Sequence, residues 1–502
     1  MNGLFPHGMN RTLAVAPIGT LSFAIILALV ALAVQHGFIA DDTLRLWAGA
    51  STAADGQVPI GRIVAGYPTL PFLATTLVAW LAPTGAPAPT LVAAAIFSII
   101  ASFCFLKFRR VGLPYLAALA ATLLIVFHPA FVRAVVAGPA DMFLAAFLLM
   151  FGLGLYDLRA RSGPSEVMHV GLALMALAFS HPAGAAFAFA SVPFLAFAVR
   201  SPLIASSALN IVVALTFPTV FMLLSFAYVS WVFPGDGWSF FAAPTQSLSV
   251  WTVTVARMFG NGMFGIPALD ASLTMGAALA IGAPMVAVML ALVYRRRPLV
   301  IPAAVFAASA IAATAICVAS KFFGDPAAIF VVAPVLSAAV VIRVPLARER
   351  QLTVIMLLVL GWLGGLLSIA MVDPVTVDRL HAAFGHTTSE RLDTLAAGGA
   401  SVGRDGVLAD TDNAPAFVLG RGRAHGILGP ESEAFALALL FARVDTPLIA
   451  VPDPQSPVGV NDRLDKAFPA LFRDGLPGYR IIYQNNTWRL FGRKKDITVS
   501  NQ

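Results

Sequence analysis

Two adjacent carboxylates, Asp41 and Asp42, follow directly after the first long apolar segment of the chain. Carboxylates at the end of a membrane helix are costly to bury, so we expect them at the membrane interface or in a watery cavity. There they could accept a proton as a general base, bind a cation, or solvate the helix end. A simpler alternative is that they cap a helix beginning near Leu44, because Asp is a favoured N-cap residue.

Other groups that could contact a charged substrate are spread along the chain at the ends of apolar segments. Guanidinium and ammonium groups stabilise phosphate oxygens, and a tyrosine can stack on a sugar. The candidates are Arg45, Arg62, Tyr67, Arg133, Asp141, His181, Arg257 and Lys321. Each also has a structural explanation. Interfacial basic and aromatic residues often only anchor a protein in the membrane. Asp141 could be only a charge at a helix N-terminus, and His181, which precedes a proline, could be a hydrogen-bonded structural residue.

The composition is that of a polytopic membrane protein. Hydrophobic residues make up 59% of the chain and charged residues 11%, whereas globular domains carry about 25% charged residues. The net charge of +7 lies in short clusters between apolar segments, which is the placement expected of membrane topology, so we expect no nucleic-acid partner. The predicted spans are 13–35, 88–106, 113–132, 141–157, 167–180, 182–199, 203–232, 271–293, 299–319, 326–342 and 351–372.

The segment 67–81 is short and carries two prolines, and the charge distribution decides how it is interpreted. If it is a juxtamembrane or re-entrant element and the N-terminus is cytoplasmic, twelve basic residues lie in the inner loops and five in the outer loops up to residue 372. That is the asymmetry of the positive-inside rule. The sequence therefore predicts eleven spanning helices and places most of the loop aspartates, Asp325 and Asp373 among them, on the outer side.

Past residue 372 the composition becomes polar and rich in Gly and Pro, which indicates a second domain at 373–502 after a membrane domain at 1–372. Its pattern predicts an α/β fold on the outer side of the membrane. We expect strands at 406–409, 447–451, 479–483 and 487–491, and helices at 431–443 and 462–472. Two polar motifs in it have simple explanations: Asp410–Asn413 as a turn rather than a cation site, and Gly420–Arg423 as a flexible basic loop.

The first outer loop, 36–87, carries a recognisable order of motifs. Asp41-Asp42-Thr43 is followed by Leu46-Trp47-Ala48, by Asp55-Gly56 and by Tyr67-Pro68-Thr69-Leu70. This order resembles the first loop of the GT-C glycosyltransferases, which include protein mannosyltransferases, aminoarabinose transferases of lipid A and mycobacterial arabinosyltransferases. Thr69 stands where that family has a second proline.

Two later stretches carry the same resemblance. His128-Pro129 and Gly138-Pro139-Ala140-Asp141 are similar to the family's next outer loop, in which an acidic residue often begins a helix. The stretch 171–181 is similar to one that often ends in Thr-Lys-Gly, with His181 in place of the lysine. The resemblance covers roughly residues 12–200.

The resemblance implies sugar transfer from a polyprenyl-phosphate donor to a glycan, lipid or protein acceptor at the outer face of a bacterial plasma membrane. A first-loop carboxylate would act as general base, Asp41 first and Asp42 second. Arg45, Arg62, Tyr67, Arg133, Asp141, His181 and Lys321 are then the candidates for binding donor phosphate or substrate. The resemblance implies no particular cofactor, and a divalent cation is left open.

Two other functions remain open on the sequence alone. A transporter of lipid-linked sugar would need ionisable residues at mid-membrane and related halves, and the sequence displays neither. A non-catalytic partner in an envelope complex would use the C-terminal domain for docking, and the departures from the family pattern at Thr69 and His181 leave room for it.

Overall fold

The computed structural model is mostly helical and describes twelve stretches of the chain. They are residues 9–35, 40–56, 67–82, 87–199, 201–232, 266–291, 297–320, 325–343, 351–373, 389–430, 432–441 and 443–494. Contacts divide the chain into two compact units. Unit 1 is Met1–Leu32, Val64–Pro71 and Thr90–Leu380, and unit 2 is Ala33–Ile63, Phe72–Pro89 and His381–Gln502.

The first part of the chain consists of helices. The helices up to residue 199 are α1 (Met9–Gln35), α2 (Asp41–Ala54), α3 (Thr69–Leu81), α4 (Ala88–Arg110), α5 (Tyr115–Val126), α6 (Pro129–Ala137), α7 (Pro139–Arg161), α8 (Pro164–Ser180) and α9 (Pro182–Ala198). Then come α10 (Ser201–Val232), α11 (Pro267–Gly282), α12 (Pro284–Ala291), α13 (Arg297–Ser320), a 3-10 helix (Pro326–Val331), α14 (Val332–Arg343) and α15 (Gln351–Val372).

Among the described residues, six helices are long and apolar enough to cross a membrane, or seven if α5 and α6 form one bent span. The six are Ala88–Arg110, Pro139–Arg161, Asn210–Val232, Val300–Ser320, Pro326–Arg343 and Gln351–Val372. Shorter apolar helices are Ile18–Val30, Thr69–Leu81, Pro164–Ser180, Pro182–Ala198 and Pro267–Gly282. The chain is therefore a helical membrane protein by length and composition of its helices, as the sequence predicts. The number of eleven spans stays a prediction.

The predicted span 113–132 is not one continuous helix, because it bends by 54° between α5 and α6. Pro129 has no N–H to donate to the preceding turn and ends α5. His128 starts the next helix, since its Nδ1 accepts a hydrogen bond from the N–H of Ala130 at 3.2 Å. The carbonyl that the break leaves at Phe127 accepts a bond from Trp362 Nε1 at 2.7 Å. Helix α15 thus supplies a hydrogen-bond donor to the carbonyl that the helix break exposes.

Small residues let α15 approach its neighbours closely. A Cβ on Gly364 would lie 2.3 Å from the carbonyl oxygen of Ile281, and one on Gly365 would lie 2.5 Å from Nε2 of His128. Glycine is needed at both positions because a larger side chain would displace a neighbouring backbone or ring. This packing fixes the position of α15, and Asp373 follows its last residue directly.

The C-terminal part of unit 2 is built on a five-stranded sheet with the order β2-β1-β3-β5-β4. The elements are α16 (Ser389–Ala400), β1 (Val407–Leu408), α17 (Pro415–Arg421), β2 (Ile427–Leu428), α18 (Glu433–Phe441), β3 (Leu448–Pro452), a 3-10 helix (Gly459–Asn461), α19 (Arg463–Ala467), α20 (Leu471–Asp474), β4 (Tyr479–Gln484) and β5 (Trp488–Arg493). Strands β2, β1 and β3 are parallel, and β5 pairs antiparallel with β3 and β4.

Strands β1, β3, β4 and β5 lie where the sequence predicts them, and β4 and β5 form the predicted hairpin. Strand β2, of two residues, is not among the predicted strands. The helix predicted over 462–472 is instead two short helices, α19 and α20. Pro469 separates them, because a proline disfavours the helical conformation of the residue before it. The sheet packs around Trp488 and Phe417, both fully buried.

Candidate functional site

Five ionisable side chains from separate parts of unit 1 meet at the ends of its helices. Arg133 lies on α6, Asp141 in the first turn of α7, and His181 between α8 and α9. Asp325 precedes the 3-10 helix, and Asp373 follows α15 directly. We call this set the Arg133 cluster.

Arg133 is the centre of the cluster because it gives all three of its nitrogens to carboxylates. Nε donates to Asp373 Oδ2, Nη1 to Asp141 Oδ2, and Nη2 to Asp325 Oδ2, each at 2.7 Å. The side chains of Arg133, Asp141 and Asp373 are nearly buried, whereas that of Asp325 is 41% exposed. The cluster therefore reaches the surface of unit 1 at Asp325.

His181 is held in one tautomer by two hydrogen bonds. Its Nδ1 accepts from the N–H of Ala183 at 2.9 Å and caps α9, so the ring proton is on Nε2. Nε2 lies 2.9 Å from Oδ1 of Asp141 and donates to it. Asp141 thus accepts from Arg133 through one oxygen and from His181 through the other, which fixes its orientation.

Asp325 combines two tasks in the same way. Its Oδ1 accepts from the N–H of Ala327 at 2.8 Å and caps the 3-10 helix, while Oδ2 accepts from Arg133. Pro326 follows at the first helical position, as prolines often do after a capping residue. The carboxylates at 141 and 325 therefore lie at helix N-termini, where the backbone dipole favours negative charge.

The cluster contains more negative than positive charge. Three carboxylates face one guanidinium, and His181 is neutral in the tautomer described. Such a site can orient a carboxylate toward a hydroxyl or a cationic group, but its excess negative charge opposes phosphate. The predicted contact of Arg133 with a donor phosphate stays a prediction, and it would require one of the three bonds to be exchanged.

The predicted bases lie in unit 2, at the start of α2. Helix α2 begins at Asp41, and its N-cap is Ala40, which makes no side-chain capping bond. The alternative that the two aspartates cap a helix starting near Leu44 is therefore wrong, since they occupy its first two positions. Asp42 is exposed, and Arg45 one turn later is half-buried. Negative side chains in a first turn are favoured by the helix dipole.

Of the other predicted residues, Tyr67 is placed in unit 1 and packs against it. Its hydroxyl donates to the carbonyl of Ala178 at 3.0 Å, and its ring meets Phe226 edge-on. Arg62, Arg257 and Lys321 lie outside the described residues. Among the residues that the structure describes, no group of three or more His, Cys, Asp or Glu side chains is arranged to hold a metal ion. The divalent cation stays a prediction.

Two members of the cluster were not selected as site residues from the sequence. The sequence places Asp325 and Asp373 among the outer carboxylates only, because their partner Arg133 is about 200 residues away in the chain. A usable signal was the Asp325-Pro326 pair, which is typical of a helix N-terminus. It predicts a capping carboxylate, although not its partner.

The two charged motifs of the C-terminal segment are structural. Asp410–Asn413 is a turn, as predicted, and Asp410 accepts two bonds from the Arg463 guanidinium. The basic loop differs from the prediction, since Arg421 is buried and donates to the carbonyls of Ser401 and Arg404.

No model of a known protein family matches the sequence, and no curated protein is significantly similar to it.

Proposed function

We propose that this protein is a GT-C-like glycosyltransferase that moves a sugar from a polyprenyl-phosphate donor to a glycan, lipid or protein acceptor at the outer face of a bacterial plasma membrane. The observation that carries the proposal is the Arg133 cluster. Three of its members, Arg133, Asp141 and His181, are among the substrate-binding candidates predicted from the sequence, and hydrogen bonds join them across two separate stretches of the chain. Buried ionisable residues among apolar helices mark functional sites by default.

The proposed topology has eleven spans, with the N-terminus inside and residues 373–502 outside. Eleven is the sum of the six long spans, the bent pair and four of the five shorter apolar helices, leaving out Thr69–Leu81. Contacts support the pairing of loops in this scheme. The four charged members of the cluster fall on its outer side, and Asp157 and Arg343, which form an ion pair, fall on its inner side.

In the proposed reaction, Asp41 or Asp42 accepts the proton of the acceptor hydroxyl, and the hydroxyl oxygen forms the new bond to the sugar carbon. The bond between that carbon and the phosphate oxygen breaks, and the polyprenyl phosphate leaves with the electron pair. Arg45, Arg62 and Lys321 are the cations proposed to stabilise the departing phosphate. A separate role is proposed for Asp141 of the Arg133 cluster, which can accept a hydrogen bond from a substrate hydroxyl because Arg133 and His181 fix its orientation.

The test is transfer of labelled sugar from a polyprenyl-phosphate donor by the purified protein in proteoliposomes. We expect Asp41→Asn or Asp42→Asn to lower kcat by about a hundredfold or more, with normal insertion and folding. Asp474→Asn is the matched control, because Asp474 is an exposed carboxylate of the C-terminal segment paired only locally with Arg473. Wild-type turnover in the Asp41→Asn/Asp42→Asn double variant would exclude the proposed base.

A transporter of lipid-linked sugar is the second candidate, and the structure favours it more than the sequence does. The Arg133 cluster places excess carboxylate among apolar helices, and a broken helix contributes its arginine. Transporter sites are often built at such helix breaks. Proteoliposomes that move lipid-linked sugar across the bilayer without any acceptor would support transport. Sugar transfer in detergent, where no compartments exist, would support the enzyme.

A further inference from the structure

Helix α2 of the first loop is part of the hydrophobic core of the C-terminal sheet. Ala48, on the buried side of α2, packs in one cluster with Phe417 and Val418 of α17 and with Trp488 of β5. Leu44, one turn earlier, is also buried. An apolar residue every three to four positions is the pattern of a helix that packs on a core. Helix α2 and the sheet therefore belong to one folded body, although about 350 residues separate them in the chain.

The end of α2 is attached to this body by a carboxylate. Oδ2 of Asp55 accepts hydrogen bonds from the backbone N–H groups of Ala424, at 2.6 Å, and His425, at 3.1 Å. Two successive N–H groups that point to one place form a binding site for an anion. The loop can present them because Gly422, at φ 78°, adopts the left-handed conformation that ends α17.

The two ends of α2 thus have different tasks. Asp41 and Asp42 begin the helix and Asp55 follows its last residue, so a rigid rod of 14 residues connects them. Such a helix is about 21 Å long, and a small rotation at one end moves the other end.

We infer that Asp55 is a positioning residue that, with Ala48, docks α2 on the C-terminal sheet and thereby sets the place of Asp41 and Asp42. The docking is argued from the contacts of Asp55 and Ala48 alone. The effect of docking on the rate of sugar transfer rests on the proposed function. The C-terminal sheet would then serve as the support of the first loop.

Hydrogen exchange of the full-length protein in lipid nanodiscs tests the docking. In Asp55→Ala we expect faster exchange at the amides of Ala424 and His425 and along α2, by about tenfold, because a charged hydrogen bond and its helix anchor are lost. Asp55→Asn retains an acceptor oxygen, and we expect it to restore most of the protection. Asp474→Ala is the control and should exchange like the wild type. Unchanged exchange in Asp55→Ala would overturn the docking.

Sugar transfer by the same variants tests the positioning. We expect Asp55→Ala to lower kcat by about tenfold to a hundredfold, with partial rescue in Asp55→Asn. Faster exchange with unchanged kcat would overturn the positioning while the docking holds. If the wild type transfers no sugar, the proposed function fails, and the exchange experiment still decides the docking.

Discussion

Two arginines in this chain are each surrounded by carboxylates, and they differ in where their partners come from. Arg133 binds Asp141, Asp325 and Asp373, which lie 8, 192 and 240 residues away. Arg463 binds Asp410 and Asp412 of a single turn. The side chain of Arg133 is nearly buried, and that of Arg463 is 40% exposed.

The difference shows that the same ion-pair chemistry can connect distant helices or fix one local turn. Arg133 joins α6, α7, the 3-10 helix and α15, so its removal affects the arrangement of four elements. Arg463 connects the start of α19 to one turn, and the exposed part of its side chain is accessible to solvent. A buried ion pair that loses one partner is far more destabilising than an exposed one.

The largest expected effect is that of Arg133→Met, which would leave three carboxylates facing one another. We expect the free energy of unfolding to fall by at least about 3–5 kcal/mol. The measurement is the thermal unfolding midpoint of the purified protein, which should be lower than that of the wild type. Arg133→Lys should lose less, because it keeps the charge but not the three-way geometry. Arg343→Met is the matched control, since Arg343 pairs with one half-exposed carboxylate, Asp157. Equal losses in the Arg133 and Arg343 variants would contradict the comparison.

Next in size is the pH dependence contributed by Asp462, which adjoins Arg463 in sequence. Burial, with repulsion from Asp410 and Asp465, raises the pKa of Asp462 to about 7. Because this pKa exceeds that of the unfolded chain, the stability contribution is complete below about pH 4 and is lost as pH rises through about 7.

Over that window we expect the free energy of unfolding of the C-terminal segment to fall by on the order of 3 kcal/mol. The measurement is pulse proteolysis of the full-length protein in urea between about pH 5 and pH 8. Asp462→Asn should flatten the dependence to the smaller slope left by Asp465, whose pKa is raised to about 6. A wild type that gains stability toward pH 8 would show that the sign is wrong.

The smallest effect is expected for Arg463→Met. It leaves Asp410 buried but still bonded to Asn413 and to the backbone N–H of residue 463. We expect the free energy of unfolding to fall by about 1–3 kcal/mol. Hydrogen exchange should become faster in the turn at 410–414 and stay unchanged in α6 and α7. An effect as large as that of Arg133→Met would mean that the number of distant partners does not decide the cost.

Local patterns in the sequence predicted most of the elements. The apolar run 351–372 became α15 with the same bounds, and the two strands around Gln484-Asn485-Asn486 pair as a hairpin. Two helices predicted as continuous are interrupted by proline, at His128-Pro129 and at Phe468-Pro469. Both pairs lie inside apolar stretches, so the hydrophobic pattern continues across the interruption. Periodicity reports which face is buried and is insensitive to one missing N–H.

Three of the five members of the Arg133 cluster were predictable from the sequence, but their contacts were not. Arg133, Asp141 and His181 were selected because charged groups at the ends of apolar segments are costly and therefore informative. Their association with Asp325 and Asp373 depends on how helices from both ends of the membrane unit pack, which no local pattern encodes. The docking of α2 was missed for the same reason, since Asp55 binds backbone N–H groups that look alike in every sequence.

One consequence follows from the way His181 is held. Its Nδ1 lone pair is committed to the N–H of Ala183, and its only ring proton is given to Asp141. The imidazole has no second place for a proton while the first turn of α9 stays closed. His181 can therefore aim a carboxylate, but it cannot shuttle protons between the buried aspartates and bulk water unless that turn opens.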